Sequence, residues 1–476
     1  MSKNSKHLLL SKVLSLLVLA AAALVALTPW MPTPVKVAAC AFAVLAAFWF
    51  ASGNPFVLKL PQMGAEAGSA YMDNTALAAA LKEWYDDQKV EMLAYEKNAF
   101  LVMIPKKTNA TGKYIPIPVV YEVSQGASNN FTNAQGNQTP GLIAEFAMPL
   151  RADYSLATIT NQAMEAAGDD RGAFLDGEKL VIDLAIRGCA NRASVALFRS
   201  GTGSRGQIAT GGITAGVITL SNPADVTNFG INQTLQANST DGGTPRATLG
   251  YVVGRNVSAG TITVSSSTWG GAAGSPTGWQ AGDYLLVQGD NNSSMVGLAG
   301  WLPAVAPTGS DNFYGVNRSP DTRLYGTYYN GARQQIEEAI IDHLLLIQRE
   351  GGDPRHWMTN NGSLAALIKA LGTRREYVDL QSADATFGFR GVKIQGPQGP
   401  VDCFADRSCQ PLTGWALQMD TWKLYSLKQV PRIFKYADGL PMLRVTNADA
   451  SELRVGYYGN PGCNAPGWNG QTALGA

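Results

Sequence analysis

Asp169-Asp-Arg-Gly-Ala-Phe-Leu-Asp-Gly-Glu-Lys-Leu-Val-Ile-Asp-Leu-Ala-Ile-Arg-Gly-Cys-Ala-Asn-Arg-Ala-Ser-Val-Ala-Leu-Phe198 is the stretch on which the fold turns. Phe174, Val181, Leu184, Ala185, Gly188 and Val195 fall on or near one face at helical spacing, which predicts one helix over 169–198. Its length would be roughly 45 Å at 1.5 Å per residue. Gly172, Gly177 and Gly188 weaken it locally. Glu165, Asp169 and Asp170 sit where acidic side chains favour the positive end of a helix, and that reading is preferred to a catalytic carboxylate cluster. Gly201-Thr-Gly-Ser-Arg-Gly206 ends the helix instead of opening one, so it reads as a linker and not a phosphate loop.

Beyond this helix the pattern changes to period two. Gly216–Leu220, Ala247–Val253, Gly260–Val264 and Asp283–Val287 are short β-rich runs separated by turn signals such as Asp241-Gly242-Gly243. Residues 207–290 therefore read as a small inserted β-barrel or sandwich. After residues 291–330, a second helix is predicted over Gly331–Glu350, with Ile336, Ala339, Ile340, His343, Leu344 and Ile347 on its apolar face. His343 reads as a packed core histidine, and His356 beside Trp357 is unremarkable. Short strands at Gly391–Ile394, Val401–Phe404, Trp415–Gln418 and Trp422–Leu427 complete a mixed region over 331–440. Met442–Thr446 and Glu452–Tyr458 are expected as C-terminal strands within 441–476.

Upstream of the long helix, Ala99–Ile104 is a β-rich run followed by the polar Pro105–Gly112 and a second run, Lys113–Val123. This reads as a hairpin over 99–125 with a basic tip carrying Lys106, Lys107 and Lys113. Pro116 and Pro118 restrict the returning arm to an edge or an extended projection. Ile104 and Ile115 would then be apolar side chains waiting for an intersubunit contact, and the lysines either solvated or facing a neighbour's carboxylates. A polar loop covers 124–141, and Ile143–Thr160 reads as strands. Asn74–Leu93 reads as a helix within an N-terminal arm, 63–98.

Residues 1–62 are of another kind. Val13–Thr28 and Val35–Ser52 are apolar and are separated by a Pro-rich break that no helix crosses intact. Three readings compete: a membrane-active helical hairpin through 13–52, with Lys3, Lys6, Lys12 and Lys59 keeping both ends cytoplasmic; a signal peptide; and a segment removed from, or misassigned to, the working protein, with Met63 and Met72 just downstream.

The 476 residues correspond to about three domains at roughly 150 residues each. Net charge is +1 with only 15% charged residues, which excludes a strongly basic nucleic-acid binder, an acidic tail and a disordered chain. The 51 glycines and low charge suit a turn-rich subunit that buries surface against neighbours. Five irregularly spaced cysteines imply no disulfide framework. Three histidines, and no HExxH, CxxC, GxSxG or Walker A motif, argue against a metalloenzyme or serine hydrolase. Asp290-Asn291-Asn292 offers oxygen ligands but lacks a Ca²⁺-loop spacing. No enzyme activity and no cofactor are expected.

The order of these elements resembles the major capsid protein of tailed bacteriophages, the Hong Kong 97 type of fold. The resemblance covers roughly Asp73 to the C-terminus. It rests on the hairpin Phe100–Val123 as an extension loop and on Asp169–Phe198 as the spine helix of a peripheral domain spanning 126–206. Ala281–Asp290 followed by Gly297–Leu302 resembles the return from an inserted β domain. Phe389–Asp402 and Leu417–Leu424 are similar to axial-domain strands, and Ala450–Tyr458 to the last peripheral strand. The apolar segment 1–62 departs from the family, whose removable N-terminal scaffolding segment is polar and helical.

What the resemblance implies is an α+β shell subunit. It would assemble with itself as hexamers and pentamers into an icosahedral head around double-stranded DNA, contacted weakly and non-specifically. Assembly would take place in the host cytoplasm and the product would be the virion. Scaffold, maturation protease, portal and decoration proteins would be its other partners. In some such shells an extension-loop lysine forms an isopeptide bond to an asparagine, which needs a buried acid beside the pair. Two other readings stay open: an encapsulin-type compartment of the same fold, and a membrane-anchored β-rich bacterial surface or binding protein.

Overall fold

The computed structural model describes residues 98–162, 177–372, 376–382, 385–434 and 442–475. The apolar segment 1–62, the arm 63–97 with its predicted helix, and Glu165, Asp169 and Asp170 lie outside the described residues.

The described chain is mixed α+β and rich in sheet. At its centre is the 14-residue strand Ala450–Cys463, which pairs along one side with Arg151–Thr160. Along the other it takes up Met442–Arg444, Arg432–Ile433 and Trp422–Ser426 in turn. The helix Gly177–Phe198 packs on Arg151–Thr160 and Ala450–Cys463. Its contact face is built from small residues, Ala185, Cys189 and Ala193, so the helix lies close to the sheet before Leu197 and Phe198 close the core. Phe198 stacks at a tilt on Phe100, ring centroids 5.3 Å apart.

A seven-stranded sheet forms the second layer. Its order is Thr327–Gly331, Gly470–Leu474, Thr413–Leu417, His356–Thr359, Gly399–Ala405, Ala385–Gly396 and Glu376–Ser382. Helices Ile336–Arg349 and Asn361–Leu371 cover it, burying Ala339, Ile340, Leu344 and Ile347 from one and Leu367 and Leu371 from the other. Asn360 caps the second helix, its Oδ1 accepting from the Gly362 N–H at 2.8 Å. Gly414 lies directly under the Trp357 indole, where a Cβ would overlap the ring.

Between helix and sheet, His343 is fully buried. Its Nε2 meets Thr327 Oγ1 at 3.1 Å and its Nδ1 meets Thr472 Oγ1 at 2.6 Å. Two hydroxyls serve a neutral imidazole well, since each can donate or accept. Burial pushes the imidazole pKa down to about 3.

The third body is a closed six-stranded barrel made of Ser204–Thr214, Val217–Leu220, Thr261–Ser265, Pro245–Asn256, Thr234–Asn238 and Tyr284–Val287. Ile208, Ile218, Leu235, Val252, Ile262, Val264 and Leu285 fill it. Gly203, at φ +86°, sits where the chain enters, with the Asp290 carbonyl against the space a Cβ would need. Ser204–Gly206, read from sequence as linker, is already barrel strand.

The hairpin expected over Phe100–Val123 does not form. Ala99–Met103 is a short helix, not a strand. Its Phe100 N–H donates to the buried Asp406 carboxylate at 3.1 Å. Lys106–Lys107 pairs in parallel with Trp422–Ser426. Tyr114–Glu122 pairs instead with Leu142–Pro149 as a separate two-stranded ribbon. Six apolar residues in a row carry no periodicity to separate helix from strand, and the true partner lies beyond a 19-residue connection, 123–141. Ile104 and Ile115 consequently lie in the subunit's main core, not on an assembly surface.

Candidate assembly surfaces

The ribbon is an arm with two halves. In Tyr114–Glu122 the side chains alternate: Ile115, Ile117 and Val119 are buried, while Pro116 and Pro118 face out. The prolines, which cannot donate to a ladder, thus occupy a strand with a single partner among the described residues. Opposite Ile115 and Ile117 stand Met148 and Phe146. Phe146 packs edge-on against Trp301, centroids 5.3 Å apart, and Phe313, 6.0 Å. This half belongs to the core.

The outer half does not. Val120 and Ile143 are each 66% exposed, and Val123 and Leu142 are also open to solvent. The connection between the strands is rich in Asn, Gln and Gly, yet it carries Phe131 at 81% exposure on the first turn of the short helix Phe131–Gly136. Asn130 caps that turn, its Oδ1 accepting from the Thr132 N–H at 2.9 Å. Apolar side chains of this size gathered along one projecting element mark a contact surface.

The direction of the arm is set at its waist. Arg323 Nη2 lies 2.6 Å from both Glu122 Oε2 and Asp321 Oδ2. Glu122 also accepts from Gln125 Nε2 at 2.9 Å and its neighbour's N–H at 3.1 Å. These donors, Arg323 foremost, hold the Glu122 carboxyl below the ordinary glutamate range.

The three lysines lie at the base of the arm, away from its tip. Lys106 and Lys107 are exposed on the short parallel strand, with Lys107 Nζ 5.4 Å from the Tyr425 ring centroid. Lys113 precedes the ribbon, its Nζ 5.2 Å from the Tyr114 ring centroid. The structure therefore brings Ile104 and Ile115 into one core and leaves the lysines apart from the exposed apolar group. Sequence reading missed Phe131, Leu142 and Ile143. The available signal was a lone aromatic in a polar loop between two β-rich runs.

A second ordered feature joins the long helix and its sheet to the barrel. Arg192, on the long helix, pairs with Asp153 at 2.6 Å and Asp290 at 2.9 Å, and Asp290 also pairs with Arg205 at 3.1 Å. Arg199 pairs with Asp225 of the barrel at 2.7 Å. Asp290, weighed as an oxygen ligand in the sequence, serves these arginines. Burial, followed by the nearby Arg192 charge, pushes the Arg205 pKa down to about 10.

Among the described residues no group of three or more His, Cys, Asp or Glu could hold a metal ion. Among them, too, no helix is long and apolar enough to cross a membrane. Cys189, Cys403, Cys409 and Cys463 are free and buried, and burial raises every one of these thiols.

No family model matches the sequence, and no curated protein matches it. Solved structures that it resembles over most of its length are shells. The capsid asymmetric unit of cyanophage A-1(L) matches at TM-score 0.46 and 12% identity, covering 84% of this chain and 98% of the other. The capsid of a native GTA particle matches at TM-score 0.42 and 8% identity, covering 82% and 96%. The holo-SrpI encapsulin complex from Synechococcus elongatus PCC 7942 matches at TM-score 0.40 and 9% identity, covering 85% and 96%.

Proposed function

We propose that this chain is the repeating subunit of a tailed-phage head, a non-enzymatic protein that self-assembles into an icosahedral shell around double-stranded DNA. The observation that carries this reading is the divided arm, Tyr114–Pro149: its inner half is welded into the core while its outer half holds large apolar side chains in solvent. A monomer gains nothing from an arm so built, whereas a subunit whose arm lies on its neighbour buries it. Contacts of this kind are heterologous and close into rings, as five- and six-fold capsomers require.

In this reading the long helix with the Ala450–Cys463 sheet is the peripheral domain. The seven-stranded sheet with its two helices is the axial domain, and the barrel is inserted between them. The extension loop is Tyr114–Pro149. The near-neutral charge suits a shell that contains DNA without gripping it, since many fixed cations would make contacts strong and salt-dependent. Scaffold, protease, portal and decoration partners belong to the same proposal.

Particles purified after expression in the host and treated with nuclease test the enclosed cargo. The reading expects double-stranded DNA protected inside heads made during infection. Particles that enclose a folded protein and no DNA would assign the chain to the encapsulin type instead.

A further inference from the structure

A cavity of about 330 Å³ lies between the long helix and the barrel. Small-molecule sites occupy roughly 300–1,000 Å³. Arg192, Arg205, Arg255 and Arg407 line this one, together with Asn228 and Gln233, and none of its lining residues is acidic. Asp153 and Asp290, which pair with Arg192 and Arg205, line the neighbouring cavity and not this one. Arg255 donates Nη1–H to the Phe229 carbonyl at 3.1 Å and makes no ion pair among the described residues. Positive charge is thus concentrated on the wall of a concave space, and no carboxylate of the described residues lines it.

The four guanidinium groups come from three bodies. Arg192 is on the long helix, Arg205 and Arg255 are on barrel strands, and Arg407 follows the strand Gly399–Ala405 of the seven-stranded sheet. Guanidinium forks match the oxygens of phosphate in both geometry and charge. An anion held here would contact groups from all three bodies and bind them together. We propose that this cavity is a binding site for phosphate-type oxyanions, and that its occupation fixes the barrel on the long helix and the seven-stranded sheet.

Calorimetric titration of the full-length protein with pyrophosphate, and separately with a short DNA duplex, at about 50 mM salt tests this, because phosphate contacts weaken steeply as salt rises. The expected result is saturable binding that Arg255→Gln weakens at least tenfold. Gln233→Glu is the second variant. Gln233 Oε1 accepts the Gly230 N–H at 2.9 Å, a bond glutamate keeps while placing a negative charge in the cavity. It too should weaken binding at least tenfold. Pyrophosphate binding that duplex does not displace identifies a small free anion. Duplex binding with the same sensitivity to both variants identifies backbone phosphates. No saturable binding of either probe, or binding indifferent to both variants, overturns the proposal.

Discussion

Phe131→Ser should weaken assembly and leave the subunit's stability alone, whereas Ile117→Ala should do the reverse. A phenyl side chain presents about 150–250 Å², so the 81% of Phe131 that is exposed amounts to about 120–200 Å². Covered by a neighbour at ~25 cal/mol per Å², this is about 3–5 kcal/mol per subunit. At 1.4 kcal/mol per tenfold, the concentration needed for assembly should rise roughly 10²-fold to several thousand-fold. Ile117 is only 2% exposed and packs in the main core. Truncating it should cost about 2–5 kcal/mol, which at ~2 °C per kcal/mol for a large domain lowers the melting temperature by about 4–10 °C. Sedimentation across a concentration series gives the first quantity, and calorimetry of the unassembled subunit gives the second. If Phe131→Ser assembles at the wild-type concentration, or melts as low as Ile117→Ala, the two-part reading of the arm is wrong.

Three further outcomes follow from the interior. The buried His343 binds fewer protons folded than unfolded between its folded pKa of about 3 and the ordinary 6.5, so its stabilisation is complete above pH 6.5 and falls, at up to about 1.4 kcal/mol per pH unit, as acid is added. His343→Gln, which does not protonate, should show a shallower loss of melting temperature across that window, and parallel curves would refute it. Arg192→Ala leaves Asp153 and Asp290 short of a buried partner and should cost about 3–5 kcal/mol by denaturant unfolding, well beyond an ordinary surface change. Gly414→Ala forces a methyl group into the Trp357 ring and should cost at least about 1–3 kcal/mol, read as a lower melting temperature.

Elements with a strong period were legible in the sequence. The helix expected over Gly331–Glu350 forms as Ile336–Arg349 and buries Ala339, Ile340, His343, Leu344 and Ile347 as the spacing predicts, while Ile336 is only half-buried and Gly331 ends a strand. Four of the barrel strands lie where alternation and turn residues put them, because Gly, Asp or Pro turn signals flank each. What failed was long-range pairing. Ala99–Phe–Leu–Val–Met103 is uniformly apolar, and its helical state is chosen by contacts with Phe198 and Asp406, far away in sequence. Gly470–Leu474 has a small, weakly apolar sequence, yet it is the strand between Thr327–Gly331 and Thr413–Leu417. The sequence places the arm near its true position but gives it the wrong partner strand and the wrong tip. With that pairing Ile104 and Ile115 look like interface residues, whereas the core holds them.

The central claim is that the chain is built to close into a shell. Electron microscopy with analytical sedimentation of the purified protein, with and without residues 1–62, across a range of concentrations and salts tests it most directly. The account predicts rings or closed particles of uniform size, with the outer half of the arm lying on an adjacent subunit. A well-folded monomer under every condition would contradict it.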